Sequence, residues 1–234
     1  FTFVLVGAFD LDKAKTLVTR YIGGLPSDVS KTFKAVDTGM RPINTSKRVD
    51  FAKGNEPKST TLLKYTGESE SYDLAEDFKL YLLEEVLKIK LTESLREQLS
   101  GVYTVGVGTE YARQPYPNYS ITLTIPSAPE NVDALVAAAK KEIEALRSQG
   151  PSLADFAKVK ENYLTGLAIR QKENSYWLGK LAQFDYDGMD PSLIPEYNRN
   201  LLANMSLIDL QQAARRYFNV NHVFEAVLSP EPIP

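Results

Sequence analysis

Arg96 and Tyr103 stand seven residues apart in the segment Leu95-Arg96-Glu97-Gln98-Leu99-Ser100-Gly101-Val102-Tyr103. A guanidinium fork and a phenolic hydroxyl are hydrogen-bond donors suited to a peptide carbonyl, a terminal carboxylate or a tetrahedral oxyanion. The segment predicts the end of a long helix, a turn through Gly101 and the start of a strand, so two rigid elements would hold the pair. A structural reading accounts for it equally well. In that reading Arg96 pairs with Glu93 or Glu97, and Tyr103, which shares strand parity with Val105 and Val107, sits in the core.

The other candidate groups carry less chemistry. His222 is the only histidine and cysteine is absent, so this chain alone cannot assemble a two-histidine zinc site, a serine triad or a cysteine–histidine pair. Beside Val223 and Phe224, His222 reads as a structural or surface imidazole. Glu84, Glu85, Glu93 and Glu97 could supply paired carboxylates, but on one helix they read as a solvated rim pairing with Lys88 or Arg96. Gly106-Val107-Gly108 lies inside a predicted strand with no helix after it, so it is not a phosphate or dinucleotide loop. It would let another backbone approach the sheet. Tyr176-Trp177 reads as packing rather than as an exposed binding patch.

The elements that position these residues follow from periodicity. Asp10 caps a helix running to about Tyr21, which Gly23-Gly24-Leu25-Pro26 stops. Ser27 to Ser46 reads as a long polar connection, and strands follow near Lys47 to Lys53 and Ser59 to Thr66, joined by the turn Gly54-Asn55-Glu56-Pro57-Lys58. From Tyr72 to Leu99 the pattern is helical, with apolar stripes Leu74, Phe78, Leu82, Val86 and Leu80, Leu83, Leu87, Leu91, so burial on more than one side is expected. Strands are predicted over Val102 to Glu110 and Asn118 to Ile125. Helices then run over Glu130 to Gln149, Ser152 to Asn174, Tyr176 to Tyr186, Leu193 to Leu202 and Ser206 to Phe218, where Ser206-Leu207-Ile208-Asp209 has capping-box spacing. A last strand, His222 to Leu228, returns to the sheet. This predicts one α+β domain over residues 1–234, a mostly antiparallel sheet with helices packed on one face.

Bulk composition sets the limits. A length of 234 residues with 43% apolar residues supports a sizeable core. Lys+Arg 27 against Asp+Glu 30 leaves a net charge of −3, without the basic footprint of a nucleic-acid binder. No apolar stretch approaches the ~20 residues of a transmembrane helix, so neither nucleic acid nor membrane is an expected partner. The absence of cysteine fits a periplasm as well as a cytosol. Phe1-Thr2-Phe3-Val4-Leu5-Val6-Gly7 lacks the charged start of a signal peptide and reads as a buried strand. The chain is therefore expected to be a piece of a longer protein, with any targeting segment upstream.

Phe3-Val4-Leu5-Val6-Gly7-Ala8-Phe9-Asp10 followed by Tyr21-Ile22-Gly23-Gly24-Leu25-Pro26 resembles the repeated domain of the pitrilysin/insulinase family of zinc metallopeptidases. Lys53 to Lys58, Leu95-Arg96-Glu97 through Gly101-Val102-Tyr103, Asn174-Ser175-Tyr176-Trp177-Leu178 and Leu228-Ser229-Pro230 resemble a bacterial, periplasmic branch of it. The motifs occur in order over nearly the whole chain. In that family two halves, each of two α+β repeats, enclose a chamber, and an H-x-x-E-H zinc motif lies in the first repeat. Here the corresponding place, Asp73 to Leu80, has no histidine. The resemblance thus implies a non-zinc, C-terminal repeat of the pitrilysin/mitochondrial processing peptidase type.

By the same resemblance Arg96 would hold a substrate carbonyl and Tyr103 would help stabilise the oxyanion, opposite a zinc ion bound by another domain. The expected partners are the N-terminal zinc-bearing repeats, or a partner subunit, and an unfolded peptide substrate. This chain alone would be inactive and its parent periplasmic. Two other functions fit the same fold: a non-catalytic scaffold, as in structural subunits of respiratory complexes, and a stand-alone peptide-binding module using an exposed sheet edge. An H-x-x-E-H motif upstream would discriminate the enzyme from the scaffold.

Overall fold

A computed structural model describes residues 1–26, 28, 35–42, 44–98 and 105–231, with the side chains of 95–98 outside the description. In chain order the elements are α1 (Leu11–Tyr21), β1 (Lys47–Ala52), β2 (Ser59–Glu68), α2 (Leu74–Gln98), β3 (Gly106–Ala112), β4 (Asn118–Ser127), α3 (Val132–Gln149), α4 (Leu153–Arg170), α5 (Asn174–Asp187), α6 (Ile194–Asn204), α7 (Leu207–Tyr217) and β5 (Val223–Ser229). They fall into two compact units, Asp37–Glu161 with Leu201–Pro234, and Phe1–Val36 with Asn162–Asn200.

The larger unit is built on a five-stranded sheet of order β1-β5-β2-β4-β3. Among the described residues only β1 and β5 run parallel; the other pairings are antiparallel. Alternation fixes the register. Leu63 and Tyr65 of β2 lie opposite Leu123 and Ile121 of β4, and all four are buried. A slip of one residue would turn Lys64 and Thr122 toward the core instead. Helices α2, α3 and α7 cover this face, as the α+β reading requires.

The two apolar stripes of α2 explain its central place. Leu80, Leu82, Leu83, Val86, Leu87 and Leu91 are almost completely buried, and each such side chain contributes roughly 1.5–3 kcal/mol of hydrophobic stabilisation. The helix therefore packs on several neighbours at once, α3, α7 and the sheet. At the start of α7, Ser206 accepts from the Asp209 N–H while Asp209 accepts from the Ser206 N–H, so the capping box forms as expected.

Gly67 marks one close approach. It lies opposite Tyr119, whose ring crosses the glycine so tightly that a Cβ there would fall within the ring's contact distance. The Tyr119 hydroxyl donates to the Arg216 carbonyl at 3.3 Å, and its ring meets Tyr217 edge-on at 4.8 Å. A glycine in a strand thus lets an aromatic side chain tie β4 to the end of α7.

In the smaller unit, Asp10 caps α1 by accepting from the N–H groups of Asp12 and Lys13. The Trp177 indole N–H donates to the Gln171 carbonyl at 2.8 Å, just beyond α4. The tryptophan is half-buried, so its role is to join helix ends rather than to fill a core. One expectation is overturned here: Phe1–Gly7 forms no strand with any described segment, and Phe1, Phe3 and Leu5 are exposed. Apolar alternation makes a segment fit for a sheet, but a strand also needs a neighbouring edge to satisfy its amides.

Candidate functional site at the α2–β3 junction

Arg96 lies in the last turn of α2. Its side chain and the whole of Tyr103 lie outside the described residues, so the frame that carries them is what the structure defines. On one side is α2; on the other is β3, the edge strand, paired only with β4 among the described residues. Residues 99–105 connect the two.

Polar contacts fasten helix and strand together. The Thr109 hydroxyl of β3 donates to Glu84 at 2.6 Å, and the Lys88 ammonium donates to Glu84 at 2.6 Å and to Glu85 at 2.8 Å. Burial disfavours the Lys88 charge, yet the two carboxylates outweigh it and raise its pKa above the usual lysine value. The expected local pairing of Glu84 and Glu85 with Lys88 is therefore present, with Thr109 added to it. Val107 and Tyr111 of β3 point into the core, and the Tyr111 hydroxyl donates to the Ser71 carbonyl at 3.0 Å. Gly106 and Gly108 lie exposed on the opposite face, where a Cβ on Gly108 would meet nothing within 4 Å.

The start of α2 tests the metal question directly. Asp73 is occupied in accepting from the Ala75 N–H at 2.8 Å. Glu76 accepts from the Lys79 ammonium and from the Tyr217 hydroxyl, with Arg216 at 3.6 Å. Burial raises the Glu76 pKa, but these donors outweigh it and hold the carboxyl below its usual range. A carboxylate ringed by two cations and a phenol is a poor ligand for a dication, and no histidine accompanies it. These residues do not fit zinc. Among the described residues no cluster of His, Cys, Asp and Glu is placed to hold a metal ion.

The same cluster makes α7 sensitive to pH. Glu76 has a folded pKa below its unfolded value, so its contribution is present above about pH 4.5 and is lost as pH falls through the folded value. Burial first, then the Glu76 carboxylate, raises the Tyr217 pKa, so that contribution is full below about pH 10 and is lost as pH rises further. Tyr217→Phe should cost about 1.5–3 kcal/mol near neutrality, the value of a hydrogen bond to a charged group. Denaturant titration at several pH values would show the difference from wild type shrinking in acid. A constant difference down to pH 2 would rule out the carboxylate as partner.

Glu225 is a buried charge that sequence reading passed over. Its carboxylate accepts from Lys140 at 2.7 Å and lies 3.1 Å from Arg48, its parallel-register neighbour on β1. Arg48 also pairs with Asp133 at 2.7 Å and Asp50 at 3.0 Å. The available signal was parity: Glu225 shares a face with Val223 and Val227. His222, by contrast, is a turn residue whose Nδ1 lies 3.3 Å from the Asn219 amide nitrogen, in keeping with a structural imidazole.

Comparison with known proteins bears on this frame. A family model described as "Peptidase M16 inactive domain" matches residues 1–163. The fold is similar to that of the periplasmic protease PqqL from Escherichia coli, with a TM-score of 0.77, 23% identity, and coverage of 96% of this chain and 25% of that one. It is also similar to a peptidase M16 inactive domain from Pseudomonas fluorescens (TM-score 0.74, 14% identity, 96% and 52% covered). A protease from Helicobacter pylori gives a TM-score of 0.76 at 16% identity, with 96% and 54% covered. This chain thus spans about a quarter to a half of the length of those structures. No curated protein matches it.

Proposed function

Because the chain belongs to the M16, or pitrilysin/insulinase, peptidase family, we propose that it is a metal-free C-terminal domain of a zinc metalloendopeptidase. The observation that carries this reading is the match of an inactive-domain family model over residues 1–163. The engagement of Glu76 by Lys79, Tyr217 and Arg216, in the place where the family's zinc motif would lie, supports it. Zinc would be held by another domain. The partners in this reading are the N-terminal zinc-bearing repeats, in one chain or in a partner subunit, and an unfolded peptide.

This chain's own contribution is positioning and charge stabilisation. Arg96, in the last turn of the helix whose earlier turns bury Leu80 to Leu91, would hold a substrate carbonyl with its fork. Tyr103, three residues before the edge strand β3 begins, would donate its hydroxyl to the oxyanion that develops during peptide cleavage. A periplasmic location is supported by the likeness to a periplasmic protease. No helix among the described residues is long and apolar enough to cross a membrane.

Hydrolysis of an unstructured, internally quenched peptide tests the reading. The full-length parent should cleave it, lose activity to a chelator and regain it with zinc, whereas this chain alone should show no turnover. A zinc-supplied parent that leaves the peptide intact would overturn the peptidase assignment in favour of the scaffold.

A further inference from the structure

We infer that Thr109 and Glu84 form a positioning clasp for the Arg96–Tyr103 pair, one that sets β3 against α2 in a single register. The inference deepens the peptidase reading and rests on it for the reaction that is measured. It starts from two polar residues in apolar places. On α2, Glu84 stands four residues after Leu80 and three before Leu87, on the stripe that also carries Leu91. Those leucines are fully buried, and Glu84, expected on a solvated rim, has a side chain only 12% exposed. On β3, Thr109 lies between Val107 and Tyr111, which share its parity and are buried. A leucine and a valine would suit the two places by pattern alone, so the polar pair breaks the local rule on both elements at once.

Each oxygen of the Glu84 carboxylate is used. Oε2 accepts from the Thr109 hydroxyl at 2.6 Å, and Oε1 accepts from the Lys88 ammonium at 2.6 Å. Apolar contact has no preferred direction, so packing alone would let an edge strand slide along a helix, whereas a short bond from hydroxyl to carboxylate holds it at one point. A slip of two residues keeps side-chain parity, but it would set Val107 or Tyr111 against the carboxylate and take away its hydroxyl partner. Strand β3 needs such a device. It is paired with β4 alone among the described residues, and Gly106 and Gly108 give its exposed face no side chain to pack. A second tie, from the Tyr111 hydroxyl to the Ser71 carbonyl at 3.0 Å, pins the strand to the segment before α2. Thr109 is therefore the tie nearer the 99–105 connection. Arg96 lies twelve residues beyond Glu84, about 18 Å along the helix, so the clasp acts through the two elements and not on the substrate.

Peptide hydrolysis by the zinc-supplied full-length parent tests the clasp, with hydrogen–deuterium exchange on the same samples. Thr109→Val keeps the shape and removes the hydroxyl; it should lower kcat roughly tenfold or more with KM changed less than about threefold, and Thr109→Ser should hold kcat within about twofold of wild type. In a Tyr103→Phe parent, Thr109→Val should lower kcat by less than about threefold further, because a residue acting through Tyr103 has little left to lose. Glu84→Leu combined with Thr109→Val should match or exceed wild type in denaturant midpoint yet keep the low kcat, which separates register from stability. The amides of 106–112 should exchange faster in Thr109→Val while those of β2 and β5 keep their rates. Wild-type kcat in Thr109→Val, a full further loss in the Tyr103→Phe background, or turnover that returns with stability in the double variant would each overturn the clasp and leave the peptidase reading intact. A wild-type parent without turnover would overturn that reading, and the clasp with it.

Discussion

Tyr103→Phe in the full-length parent is expected to lower kcat by about 10²–10³-fold with little change in KM, a loss of roughly 2.7–4 kcal/mol of transition-state stabilisation. The substitution deletes one oxygen and keeps the ring, so the effect isolates the donor. A hydroxyl that serves only the developing oxyanion contributes little to ground-state binding, and this separates kcat from KM. Arg96→Lys should behave differently. It keeps the charge but loses the planar fork, so KM for peptides should rise with a smaller change in kcat. Steady-state kinetics on one peptide decides both, and a Tyr103→Phe parent with unchanged kcat would remove the residue from the mechanism.

The second large effect concerns stability. Replacing both Arg48 and Lys140 by methionine should destabilise the fold by about 3–5 kcal/mol, because it leaves the Glu225 carboxylate buried without a cation. Glu225→Leu should cost much less. The asymmetry follows from exposure: the Glu225 side chain is 7% exposed, whereas those of Arg48 and Lys140 are 42% and 43% exposed and can turn to water. Combining all three replacements should recover most of the loss, since an apolar trio presents no uncompensated charge to the core. Denaturant midpoints at constant slope would measure this. Equal losses for the carboxylate and the cation pair would show that burial of the charge does not govern the site.

The two cases differ in how far sequence alone reaches. Helix α2, strand β4 and the start of α7 were legible because their signals are local: an unbroken helical stripe from Leu74 to Leu91, alternation in Tyr119-Ser120-Ile121-Thr122-Leu123, and a capping box at Ser206. Each depends on residues a turn or two apart. Strand β3, expected from Val102, is found over Gly106–Ala112. The Glu225 cluster was not legible, because it depends on the parallel pairing that sets Arg48 opposite Glu225, 177 residues later in the chain, and on α3 bringing Lys140 over the same face. No local pattern encodes that meeting. The misread opening segment has a similar origin. Phe1-Thr2-Phe3-Val4-Leu5 carries the composition of a strand, and only a neighbour can make it one.

By itself, the sequence determined most of the elements, the class of fold and the family resemblance, since short-range periodicity and ordered motifs carry these. It also determined that this chain lacks the residues of a zinc motif. Tertiary structure decided the strand order, the parallel pairing of β1 with β5, the burial of Glu225 among cations, and the meeting of Glu76 with Tyr217 and Arg216. Those outcomes follow from contacts between distant segments, where packing geometry, not local propensity, selects the partner of each charge.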